Sequence, residues 1–159
     1  MAVDMFLKLD GIKGECHADG FKDQIDISSF SWGMSNQGTA EAGGGLGAGK
    51  VNIQDCHFTK SVDTSTCDLM LHCCNGKHIP SGLITFRKAG GKQEVYLKIK
   101  LSDILISSYQ QGGSTGDVVH DSLSLNFSKV EVEYNQQKAD GSVSKGGNMG
   151  WDVKAIKKL

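Results

Sequence analysis

Proline is almost missing from this chain, with one in 159 residues, and aromatic residues make up only 7%. Chain reversals must therefore rest largely on the 21 glycines, since glycine alone reaches left-handed backbone without penalty. Charge of one sign is missing too: 17 basic and 18 acidic residues leave a formal net charge of −1. That balance excludes the basic stripe that draws proteins to nucleic acid, or to an anionic membrane by charge. No apolar run is long enough to insert in a membrane as a helix. The opening Met1-Ala2-Val3-Asp4-Met5-Phe6-Leu7-Lys8 lacks the basic and apolar regions of a signal peptide, so export is expected to use a route other than a cleaved leader. No internal repeat or linker divides the chain, and residues 1–159 are expected to form one domain with one core.

What is present reads as strand. Hydrophobic residues make up 38% of the chain, a content suited to antiparallel sheets that bury one face. Ile25 and Ile27 are apolar at odd positions, and then Phe30, Trp32 and Met34 at even ones. The change of parity recurs from Val51 and Ile53 to Cys56 and Phe58. It recurs again from Val95, Leu97, Ile99 and Leu101 to Ile104 and Ile106. The fourth case runs from Leu123, Leu125 and Phe127 to Val130, Val132 and Tyr134. Alternate residues of a strand face opposite sides, so each change implies an inserted residue or a swap of the buried face. Bulges near Ser28-Ser29, Gln54-Asp55, Ser102-Asp103 and Ser128-Lys129 would supply it. The expected fold is mainly β: a bent-strand β-barrel of two sheets with one flanking short α-helix. Eight short strands joined by tight turns would give the same pattern.

The helix is expected at Thr66 to Asn75. Ser65 is placed to cap it, Asp68 lies near the positive end of its dipole, and Asn75-Gly76 ends it. Cys67, Met70, Leu71 and Cys74 follow i, i+3, i+4, i+7 spacing as its apolar face, with Asp68, His72 and Asn75 on the wet side. Two segments show no periodicity. Gly38 to Lys50 holds six glycines and a single large apolar residue, Leu46, and Gln110 to Asp117 is rich in Gly, Ser and Gln. A glycine-rich insertion of that length in a compact domain is functional or disordered.

Catalytic patterns fail on inspection. Gly44-Gly45-Leu46-Gly47-Ala48-Gly49-Lys50-Val51 approximates a phosphate-binding loop, but Val51 stands where a hydroxyl must hold magnesium. Val51 to Phe58 then alternates like a strand, where the motif needs a helix. The dinucleotide fingerprint fails on the same ground. Cys16-His17, Cys56-His57 and His72-Cys73-Cys74 with His78 supply soft ligands, yet strand neighbours face apart and no C-x-x-C occurs. Five cysteines without framework spacing read as reduced thiols packed in the core, with exposed histidines. Glu131 and Glu133 alternate with Val130, Val132 and Tyr134 as the wet face of a strand. Lys154, Lys157 and Lys158 read as a solvated end. No metal, no cofactor and no catalytic constellation is expected.

Several strings, read in order, resemble the haemolysin-coregulated protein (Hcp) family of bacterial type VI secretion systems. They are Met5-Phe6-Leu7-Lys8-Leu9-Asp10-Gly11-Ile12-Lys13-Gly14-Glu15, Ile27-Ser28-Ser29-Phe30-Ser31-Trp32-Gly33 and Phe58-Thr59-Lys60-Ser61-Val62-Asp63. Leu101-Ser102-Asp103-Ile104, Ser107-Ser108, Ser122 to Val130 and Gly150-Trp151-Asp152 complete the series. The family often places a proline where the helix begins, and Ser65-Thr66 has none. The resemblance implies a β-barrel whose copies form a hexameric ring stacked into a hollow tube. It implies as partners the chain itself, a contractile sheath, a tip spike and effectors in the lumen, with secretion from the cytoplasm and no enzyme activity. By analogy the Gln37–Lys50 loop reaches a neighbouring subunit, which makes Gly38, Glu41, Gly43, Gly44, Gly45, Leu46, Gly47, Gly49 and Lys50 the expected interface. Two other classes fit parts of the sequence: a small barrel carrier or chaperone-like module, and a Cys/His metalloenzyme.

Overall fold

The chain forms strands β1 (Val3–Leu9), β2 (Ile25–Asp26), β3 (Ser29–Ser31), β4 (Met34–Thr39), β5 (Gly47–Ile53) and β6 (Cys56–Ser61), then helix α1 (Thr66–Asn75). Strands β7 (Ile79–Lys88), β8 (Val95–Gly112), β9 (His120–Gln137), β10 (Val143–Asp152) and β11 (Lys157–Lys158) follow. This computed structural model describes residues 3–39, 47–89 and 93–159. All strand pairs are antiparallel, in a nine-stranded sheet and a two-stranded ribbon formed by β4 and β5.

The larger sheet closes on itself. Its main path runs β11-β10-β9-β8-β7-β1-β2, while β9 also pairs with β6, and β6 with β3. Only Ile27 and Ser28 separate β2 from β3. The Ile27 amide donates to the carbonyl of Met5 on β1, and the Ser28 amide to that of Thr59 on β6. The run Ile25–Ser31 thus joins β1 to β6 and completes a barrel, which removes most of the open edges a flat sheet would carry. Leu7, Ile25, Phe58, Ile84, Ile99, Leu101, Ile104, Leu125 and Val130 fill its interior.

The four parity changes have two physical forms. At Ser28-Ser29 and Gln54-Asp55 the chain breaks between separate strands with different partners, as the short-strand alternative has it. At Ser102-Asp103 and Ser128-Lys129 the 18-residue strands β8 and β9 run straight through. Ser102 pairs with Lys129 and Ile104 with Phe127, so the register is the same on both sides and no residue is inserted. Asp103 instead takes a left-handed backbone at φ 53°, a conformation that Asp tolerates better than most residues. Both strands swap their buried face there together. β9 then serves β6 with its first half and β10 with its second. Against β9, the register of β8 slips only further on, between Ile106 and Ser108.

Helix α1 occupies the expected residues, and Gly76 closes it at φ 65°. Its cap and buried face differ from expectation. Ser65 makes no side-chain cap bond; the Asp63 carboxylate instead accepts from the Ser65 amide at 2.8 Å and from the Ser65 hydroxyl. Thr66 and Leu69 are buried, Met70 and Cys73 half-buried, and Cys67, Leu71 and Cys74 exposed. The helix is turned by one residue, about 100°, because Thr66 is held inward by a polar network.

That network centres on two fully buried charges. Lys60 of β6 stands opposite Asp121 of β9 in the strand register, both at 0% exposure, with Lys60 Nζ 2.8 Å from Asp121 Oδ2. Thr66 Oγ1 donates to the same oxygen at 2.7 Å. Tyr109 OH and Gln111 Nε2 donate to Oδ1 at 2.6 and 3.1 Å. Lys60 also donates to Asp63 Oδ1, Thr66 Oγ1 and the Ser61 carbonyl. Burial alone would raise the Asp121 carboxyl, but its donors, Lys60 foremost, hold it below the ordinary value. Burial and the Asp121 charge push the Tyr109 phenol up, so it stays a donor.

Lys60→Met leaves the aspartate buried without its cation, and should lower unfolding free energy in denaturant titrations by about 3–5 kcal/mol. Adding Asp121→Leu should cost less than the sum of the two single changes. Because the folded carboxyl titrates below 3.8, its contribution is complete above that pH and is lost as pH falls through the lower folded value. Acid unfolding should accordingly lose this component in the double variant. Gly14→Ala places a Cβ against the Gln24 carbonyl oxygen and 2.8 Å from Ile25 Cα. As backbone cannot give way, thermal and denaturant unfolding should show a loss of about 1–3 kcal/mol.

Candidate assembly surface

The ribbon is built outward from an apolar base. Trp32 and Ile53 pack against the core, with the Trp32 ring 6.3 Å from that of Phe127 at an interplanar angle of 67°. The Gln54 amide donates to the Gly33 carbonyl at 2.9 Å and ties the two strands together where they leave the barrel. Beyond it Met34 pairs with Ile53, Ser35 with Asn52 and Asn36 with Val51. The register then slips by one, and Gly38 pairs with Ala48 and Thr39 with Gly47. Among the described residues neither strand pairs with any other. Each presents one edge of unpaired amides and carbonyls, and Met34 is exposed at the base.

Gly38 lies on β4, while Gly47, Gly49 and Lys50 lie on β5. Glu41, Gly43, Gly44, Gly45 and Leu46 lie outside the described residues. The expectation of an aperiodic loop from Gly38 to Lys50 is thus corrected at both ends. Strand pairing reaches Thr39 on one side and begins at Gly47 on the other. Ladder hydrogen bonds need no apolar alternation, and glycine and alanine give none to read. The phosphate-loop look-alike continues into strand, so no helix N-terminus is available to hold a phosphate. In the second glycine-rich segment, Gln110 to Gly112 likewise belong to β8.

The thiols divide into two sets. Cys16 and Cys56 are buried, as expected, whereas Cys67 and Cys74 are exposed and Cys73 is half-buried. Burial, with the Asp55 charge behind it, pushes the Cys56 thiol up to about 12; burial also raises Cys16. Cys56 and His57 face opposite sides of β6. Among the described residues no group of three or more His, Cys, Asp or Glu converges as a metal ion would need. His78 Nδ1 lies 2.7 Å from Asp103 Oδ1, and His72 Nδ1 lies 2.7 Å from the Asp68 carbonyl. Glu131 and Glu133 are exposed and stand opposite Lys100 and Lys98, a cross-strand charge ladder. Lys157 and Lys158 pair with Asp152 and Trp151 as a short edge strand.

Lys60 and Asp121 are not among the residues expected to matter from sequence, although their signal is present there. Lys60 shares parity with Cys56 and Phe58, and Asp121 with Leu123, Leu125 and Phe127, so both fall on the core side of their strands. No helix among the described residues is long and apolar enough to cross a membrane.

Against this geometry, residues 6–134 match the family described as "Type VI secretion system effector, Hcp". Protein hcp1 of Pseudomonas aeruginosa is 48% identical over 157 residues, covering 97% of each chain. The crystal structure of Hcp1 from Salmonella typhimurium has a TM-score of 0.83 at 33% identity, covering 100% of both chains. A further solved structure, described as that of a type six secretion system protein, has a TM-score of 0.94 at 30% identity, covering 99% of this chain and 100% of its own. The chain belongs to the Hcp family of type VI secretion system proteins.

Proposed function

We propose that this chain is the structural subunit of a type VI secretion inner tube. Residues 1–159 act as one tube domain; six copies close into a ring, and rings stack head to tail around a hollow lumen. A contractile sheath encloses the tube, a spike caps its tip, and effectors travel in the lumen. The subunit is made in the cytoplasm and leaves with the tube, and its role is structural rather than catalytic.

The observation that carries this reading beyond family membership is the β4–β5 ribbon. The barrel has closed most of its own edges, while the ribbon leaves two open. Unpaired backbone groups on an extended strand take up a strand from another chain readily. Fixing backbone that is rich in glycine costs conformational entropy, so each such contact is weak. Six around a ring act together and become strong through multivalency. A head-to-tail contact need not close, which permits a tube of indefinite length. Gly38, Gly47, Gly49 and Lys50 on the paired strands, with Glu41 and Gly43 to Leu46 between them in sequence, form the proposed contact.

Deleting Gly43–Gly49 should leave a folded subunit, with its cooperative melting transition shifted by less than about 5 °C. Ring stacking, imaged by negative-stain electron microscopy, should be lost. Stacks that persist, or a subunit that no longer melts cooperatively, would refute the assignment of the ribbon.

A further inference from the structure

Helix α1 turns one stripe away from the barrel. Leu71, 58% exposed, lies between the exposed thiols of Cys67 and Cys74, four residues from one and three from the other. These positions fall on one line along the helix. The stripe is nearly symmetric about its leucine, so it matches a second copy of itself running the opposite way. Charge agrees with that direction. Asp68 sits in the first turn and His72 in the last, and Lys77 is exposed just beyond Gly76. Antiparallel pairing sets the acidic end of each helix beside the basic end of the other.

We propose that two copies of this chain pair through antiparallel α1 helices, with each Cys67 facing Cys74 of the other copy across Leu71. A low-molecular-weight disulfide then locks the pair through two intermolecular disulfides. The dimensions allow it. Packed helices lie about 8–10 Å apart, and Cα atoms sit about 2.3 Å from each axis. Facing Cα atoms then come within roughly 3.4–5.4 Å at closest approach, which overlaps the disulfide range of about 4.4–6.8 Å. In the chemistry, a Cys67 thiolate attacks the small disulfide, forms a mixed disulfide and expels one small thiolate. The Cys74 thiolate of the other copy then attacks the Cys67 sulfur and expels the second. Each new bond thus oxidises two protein thiols by two electrons and reduces one small disulfide to two thiols, and the two protons lost by the protein thiols pass to the released thiolates. Cys16 and Cys56 do not compete, being enclosed, and Cys73 packs against the core. The contact is two-fold and closes on two copies, so it neither rests on the head-to-tail tube nor extends it.

The test exposes the full-length protein to oxidised glutathione and resolves it on non-reducing denaturing gels, with peptide mass mapping. Wild type should convert to a reducible dimer, without a ladder, carrying Cys67–Cys74 linkages. Cys67→Ser and Cys74→Ser should each abolish the dimer. An equimolar mixture of the two should restore it in about half of the pairs, since only mixed pairs hold one thiol of each kind. Leu71→Glu, which keeps both thiols on an exposed site, should cut dimer yield at least several-fold. Single variants that dimerise like wild type, a mixture that stays monomeric on the gel, or a Leu71→Glu protein that cross-links fully would each overturn the proposal.

Discussion

A lysine and an aspartate removed entirely from water hold this barrel in one arrangement. Their charges demand partners, which come from three further segments: Thr66 from α1, Tyr109 and Gln111 from β8, Asp63 from the turn before the helix. Apolar side chains would accept many packings at this corner, whereas a buried carboxylate with four donors accepts one. The rotation of α1 follows directly. Thr66 must reach Asp121, so Leu69 enters the core and the Cys67–Leu71–Cys74 stripe is left outside. The exposed helix face is thus a by-product of an electrostatic demand some distance away.

How far the fold was legible depends on what each segment has to bury. The bent strands β8 and β9 announce themselves because valine, leucine, isoleucine and phenylalanine alternate along them and change step at Asp103 and Ser128. The helix is legible in extent from Asn75-Gly76 and its spacing, but not in orientation. Cys67, Leu71 and Cys74 look as apolar as Leu69, and hydrophobicity cannot reveal that a threonine has a charged partner 55 residues away. The ribbon is legible only at its base, through Trp32, Val51 and Ile53. Beyond it, backbone hydrogen bonding sets the structure, and glycine carries no side chain to record that. Closure of the barrel through Ile27 and Ser28 shows locally only as the parity change at Ser28-Ser29; which strands it joins is set by two backbone hydrogen bonds to distant partners.

Barrel and ribbon differ in how they meet their backbone hydrogen-bonding demand. The barrel satisfies most of its ladder internally and hides its charged pair. The ribbon is anchored by Trp32 and Ile53 yet carries little apolar surface along its length. A protein built this way can change the length or composition of its arm with little effect on its core. The Salmonella typhimurium Hcp1 structure shares this fold over its whole length at 33% identity.

The pairing of β6 with β9 sets a schedule for synthesis. Phe58 meets Leu123, about 65 residues further along the chain, and ribosomes add roughly 5–20 residues each second. For about 3–13 s the strand Cys56–Ser61 has emerged with β3 available on one edge but without β9 on the other, among other nascent chains. Its inward-pointing lysine makes that interval safer, since a charge in the middle of an apolar strand face resists pairing with a stranger. Only a strand that brings a carboxylate to the matching position is accepted without loss. Lys60 therefore acts as a gatekeeper while the chain is growing and becomes part of the core when Asp121 arrives.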